Sequence, residues 1–127
     1  MRRLAIAFGA LTLAVAALAA HAQGGEVRML VQSSLLAGFQ YYQGGQLWDE
    51  MKVGDPLTLA REPGNPHDSN AVRVEWRGHK LGYVPRRENR AVARHMDSGG
   101  SVEARVSKLT RHRNPWQRIE FEVFVKL

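Results

Sequence analysis

Residues 57–76 read LTLAREPGNPHDSNAVRVEW. Leu57 and Leu59 flank Thr58, and Val72, Val74 and Trp76 alternate with Arg73 and Glu75. Both ends therefore carry the period of two that marks a strand with one buried face. What lies between them is not a hairpin turn. A tight hairpin closes with two residues, whereas about ten intervene here. Pro63 and Pro66 each fix φ and remove a donor, so strand pairing stops at Glu62. Gly64 is expected to take a conformation closed to other residues. The proline after Asn65 pushes it towards an extended shape. Asp68 and Asn70 are expected to close Asx-type turns on backbone N–H groups further along. Each restriction reduces the entropy lost when the loop orders. The polar rim that includes His67 and Asp68 is thus expected to be rigid.

The same alternation extends outward. Ile119, Phe121, Val123, Val125 and Leu127 alternate with mostly polar residues, as do Val102, Ala104 and Val106. Arg77-Gly78-His79 reads as a turn leading back into a strand over Lys80–Val84, and the apolar, aromatic stretch Arg28–Tyr42 reads as one long, bent strand. On such a strand one of Tyr41 and Tyr42 faces the core and the other faces out. A helix interrupts the pattern. Pro85 suits a first helical turn, and Arg86–Asp97 places Ala91, Val92, His95 and Met96 on one side, with Arg87, Arg90 and Arg94 on another. Ser98-Gly99-Gly100 ends it. A shorter helix is expected around Gln46–Lys52. Six strands with one or two short helices point to an all-β fold, a six-stranded small barrel of the OB-like or SH3-like type.

The chain has 127 residues, a net charge of +6 and no cysteine, so neither a disulfide nor a thiolate metal site is possible. Arg2 and Arg3 precede an uncharged apolar run, Leu4–Ala20, and Ala20-His21-Ala22 has the small-x-small form of a cleavage site. The domain reading is therefore a signal peptide over 1–22, a flexible lead over 23–28 and a single domain over 29–127. The rival, an uncleaved anchor, needs roughly 20 apolar residues to cross a bilayer. Cleavage would leave no stable membrane insertion and an exported protein, periplasmic or secreted. From Gln23 onward there are 16 basic and 12 acidic residues, a net charge of +4. That balance favours anionic partners without choosing among nucleic acid, lipid and glycan.

The order LAGFQYY (36–42), GDPLTLARE (54–62), NPHDSNA (65–71) and LGYVP (81–85) resembles the HIRAN domain, a family named from its place at the front of Rad5-like helicases. The resemblance spans about Val31–Val125. It implies a six-stranded OB-like barrel that grips the 3′ end of single-stranded DNA. The pocket would be built from Gln40, Tyr41, His67 and Asp68, with basic side chains nearby. Gln40 and His67 stand where the end-binding relative has a basic residue and a tyrosine.

Physical chemistry gives each candidate a role beside a plainer alternative. Tyr41, if it faces out, is a stacking surface; His67 could stack or cap the pocket. Asp68 either knits the loop or accepts a hydrogen bond from a terminal sugar hydroxyl, since a carboxylate repels phosphate everywhere but at an end. Arg86, Arg87, Arg90 and Arg94 form either a backbone track or a solvated face. Trp116, within RHRNPWQR (111–118), belongs either to a phosphate-and-stacking surface or to a solvated hairpin tip. Trp48 and Trp76 read as core. No paired-histidine zinc motif, phosphate-binding GxxxxGK[ST] loop or nucleophile elbow occurs. The expectation is a non-enzymatic, monomeric binding module with no cofactor, no metal and no catalytic residue. The alternative reading is a cell-envelope interaction module binding a protein, glycan or other polyanion through the same face.

Overall fold

The two strands flanking the long loop are β2 (Pro56–Arg61) and β3 (Val72–Trp76). The computed structural model describes residues 27–127, so the expected leader and residues 23–26 of the expected lead lie outside it. The remaining strands are β1 (Arg28–Leu35), β4 (His79–Tyr83), β5 (Val102–Leu109) and β6 (Ile119–Lys126). Arg28, the first residue of β1, pairs with Lys126 near the end of β6. All pairings are antiparallel, in the order β1-β6-β5-β2-β3-β4.

Curvature comes from β2. Pro56 and Leu57 pair with β5, while Thr58–Arg61 pair with β3, so one strand serves two half-sheets and turns the corner between them. The expected barrel is consequently a strongly curved sheet, not a closed ladder. Its two edges meet at one bridge, where Ala37 and Tyr83 exchange N–H···O bonds of 3.0 and 2.9 Å. Gly82 permits that approach: a Cβ there would collide with the Ala37 carbonyl oxygen. The alternation of β6 buries Ile119, Phe121, Val123 and Val125, the first three in one cluster with Val72, Val74, Trp76 and Leu81.

Two expectations are corrected. The strand beginning at Arg28 does not reach Tyr42. Gly38 takes a left-handed conformation (φ 79°), a region glycine enters without steric cost, and the chain turns into a single 3₁₀ turn over Phe39–Tyr41. After it come α1 (Gly44–Leu47) and a further 3₁₀ turn, Trp48–Glu50, close to the short helix expected there. The main helix, α2 (Arg90–Asp97), starts later than Arg86. Glu88 N–H closes a turn on the Pro85 carbonyl at 2.8 Å. Glu88 is then tied to β1: its carboxylate accepts from Ser34 Oγ at 2.8 Å and its carbonyl from Gln32 Nε2 at 3.1 Å. Those bonds hold residues 85–89 as a strap across the strand. The buried face of α2 is Val92 and Ala93 with Met96 alongside; Ala91 is exposed.

Candidate functional site

The loop from Glu62 to Ala71 is fastened at its base. Glu62 N–H donates to the Ala71 carbonyl at 3.0 Å. Below it, Arg61 Nη1 donates to the same carbonyl at 2.7 Å and Nη2 to the Ser69 carbonyl at 3.0 Å. Its Nε and Nη2 also fork onto Asp97 at 2.8 and 3.1 Å, tying the loop to the end of α2. Inside the loop, Asn65 Oδ1 accepts from His67 N–H and Asp68 Oδ1 from Asn70 N–H, both at 2.9 Å. The Asx turns thus belong to Asn65 and Asp68 rather than to Asp68 and Asn70. Gly64 is not among the glycines with positive φ, so its role is not the one expected.

Asp68 has a second partner. Its Oδ2 accepts from the side-chain amide of buried Asn89 at 2.7 Å. This bond ties the strap to the loop, and two adjoining hollows lie beside it. The larger, about 560 Å³, runs between residues 65–70 and Arg86, Arg87, Asn89 and Arg90. The smaller, about 260 Å³, has Tyr42, Tyr83 and Trp116 on its walls. Asn65, His67, Asp68 and Arg86 border both. Each Asp68 oxygen accepts one bond from the protein and keeps capacity for another.

Behind the smaller hollow lies a polar network. Tyr42 and Tyr83 meet edge-on at 6.0 Å. Lys80 Nζ sits 4.3 and 4.6 Å from their ring centres and donates to Tyr83 Oη at 2.7 Å. Tyr83 in turn donates to Glu62 Oε1 at 2.8 Å, and Arg73 Nη1 to Glu62 Oε2 at 2.9 Å. Burial would raise the Glu62 pKa, but hydrogen bonds from Asn65, Tyr83 and Arg73 outweigh it and hold the carboxyl below its ordinary range. For Lys80 burial works downward and is likewise outweighed, by Tyr83 and the nearby negative charge, so its pKa is raised. The Tyr83 hydroxyl is committed inside the fold. What it offers the hollow is its ring.

The sequence-based candidates separate as follows. His67, Asp68 and Arg86 border both hollows, Arg87 and Arg90 the larger, and Trp116 the smaller. Trp116 stands on a 3₁₀ turn, Pro115–Gln117, whose start is capped by Asn114 Oδ1 accepting from Trp116 N–H at 3.1 Å. Gln40 and Tyr41 are exposed on the turn after Gly38, and it is Tyr42, not Tyr41, that lines the smaller hollow. Arg94 is exposed further along α2, outside both hollows. Arg86, Arg87, Arg90 and Arg94 make no ion pair among the described residues. Sequence reasoning missed Tyr83 and Asn89. Tyr83 had a signal, standing within LGYVP; Asn89 had none. Among the described residues, no cluster of three His, Asp or Glu side chains is placed to hold a metal ion.

Comparison with known proteins adds three findings. A family model of the HIRAN domain matches residues 29–127. A crystal structure of a Lactobacillus plantarum protein, a structural-genomics target, shares the fold with a TM-score of 0.71 and 28% identity, over 80% of this chain and 98% of that one. The HIRAN domain of human HLTF shares it with a TM-score of 0.57 and 22% identity, over 78% of each chain. No curated protein matches the sequence.

Proposed function

The chain belongs to the HIRAN domain family, a family of nucleic-acid-binding modules, and on that premise we propose that it binds single-stranded DNA at a free 3′ end. One observation carries the reading: a carboxylate, Asp68, borders both hollows while the arginines beside it have no acidic partner among the described residues. A carboxylate opposes any internal phosphodiester. At a strand end a hydroxyl stands where the next phosphate would be, and Asp68 can accept its hydrogen bond. The terminal base then enters the smaller hollow against Trp116 and the Tyr42–Tyr83 wall, with His67 at the rim. The phosphate of the terminal nucleotide meets Arg86, which borders both hollows, and Arg87 and Arg90 add their charge beside it, forked guanidinium groups that suit phosphate. Gln40 and Tyr41 line neither hollow and stay exposed on the turn after Gly38. The module holds its ligand without transforming it. With the apolar leader at its start, the protein acts outside the cytoplasm, on DNA in the periplasm or beyond the cell.

The test is an anisotropy titration with oligonucleotides bearing a free 3′ hydroxyl or a 3′ phosphate, at low and high salt. Blocking the end should weaken binding about tenfold or more, the scale of a lost hydrogen bond to a charged group. Blocking the end chemically probes the Asp68 interaction without disturbing the loop that Asp68 also knits. Binding indifferent to the end, and matched by other polyanions, would instead identify the envelope-polyanion module.

A further inference from the structure

The connector between β5 and β6 borders the smaller hollow through Trp116, and a separate cleft of about 310 Å³ is lined by Arg111, His112 and Arg118 of this connector and by Gly45, Trp48 and Asp49. At its floor the Phe39 and Trp48 rings meet edge-on at 5.8 Å. The Arg118 guanidinium lies over Phe39, 5.4 Å from the ring centre. Its Nε donates to the His112 carbonyl at 2.8 Å, and its Nη2 reaches the Arg113 carbonyl at 3.5 Å. The fork is therefore oriented by the connector backbone, with a ring behind it and, among the described residues, no carboxylate on it. At the mouth Arg111 is neutralised by Asp49 at 2.7 Å, both side chains standing mostly in water.

An oriented guanidinium plane is a surface on which an unpaired base stacks, and its charge attracts the phosphate beside that base. Arg118 stands two residues beyond Trp116 on the same connector, so a strand that leaves the smaller hollow over Trp116 is led towards this cleft. We infer that the cleft is a second nucleotide site, taking an internal base of the same single strand on the Arg118 plane. The inference rests on the single-strand reading above.

Gly45 lines the cleft, and a Cβ built on it meets nothing within 4 Å, so a side chain can be added there, and a large one is expected to occupy the cleft. The experiment compares Gly45→Trp and Arg118→Lys with the unaltered protein, by anisotropy, on a trinucleotide and a decanucleotide with free 3′ ends. Both variants should bind the decanucleotide about tenfold more weakly, as expected for one lost base stack, and the trinucleotide unchanged. If the unaltered protein binds both oligonucleotides and neither variant loses affinity selectively for the longer one, the cleft is not a site, while the terminal hollow stands. Equal losses on both lengths would mean a displaced Trp116 and would also overturn the inference. Failure of the unaltered protein to bind either oligonucleotide would overturn the single-strand reading and the cleft with it.

Discussion

The arginines that have a carboxylate partner and those of the strap and α2 live under different rules. Arg61, Arg73, Arg105 and Arg111 each have a carboxylate within 3.2 Å. Arg86, Arg87, Arg90 and Arg94 have none among the described residues. The difference is not a shortage of acid nearby. The strap and α2 contain Glu88 and Asp97, but Glu88 is bonded to Ser34 and Asp97 to Arg61. Both of these acids are committed to holding the fold, so the neighbouring cations remain available to a ligand. One set of arginines fastens elements together; the other leaves its charge facing water, where salt screens it and an anion can reach it.

The sharpest way to break this comparison is Arg61→Ala. The Ala71 and Ser69 carbonyls lose a charged donor, and stability should fall by about 2 kcal/mol in urea titrations, with the loop losing protection in hydrogen exchange. An unchanged urea midpoint would mean that the loop is held by its own turns. Arg86→Ala, Arg87→Ala and Arg90→Ala combined should do the reverse. Their removal should leave stability within about 0.5 kcal/mol while weakening oligonucleotide binding. The log–log salt slope should flatten by about 0.7 for each phosphate that is no longer neutralised. A destabilised triple variant, or an unchanged salt slope, would erase the distinction.

Acid titration tests the paired set from the other side. Glu62 has a lowered pKa in the folded state, so its contribution is complete above its unfolded pKa and is lost as pH falls through the folded one. Stability should decline as pH drops below about 4.3, the ordinary glutamate value. Glu62→Gln should start less stable at neutral pH and show a shallower acid decline. The smallest effect belongs to Arg111→Ala. Its pair with Asp49 stands almost wholly in water, 78% and 82% exposed, so stability should move by a few tenths of a kcal/mol at most.

The strands were legible because alternation is a local property: a residue and its neighbours suffice to say which face is apolar, and β3 and β6 follow it most regularly. The turn that ends β1 was less legible. Gly38 was its signal, but it sits inside an apolar run that continues through Phe39 to Tyr42, and the pattern alone suggests an unbroken strand. The helix start went astray for a different reason. Pro85 and the residues after it satisfy every local criterion for a first turn, yet Ser34 and Gln32, more than fifty positions earlier, hold the Glu88 segment outside the helix. Asn89 was invisible for the same cause, since its partner Asp68 lies 21 residues away.

By itself the sequence settled the all-β class, the long loop that separates β2 from β3 and the family pattern, because periodicity, proline constraint and motif spacing are written along the chain. Tertiary structure alone decided that Asp68 clasps Asn89, that Tyr42 and Tyr83 wall one hollow, and which arginines keep a free charge. Those outcomes depend on long-range hydrogen bonds and on competition for a few carboxylates, and such competition is resolved only once the elements are packed together.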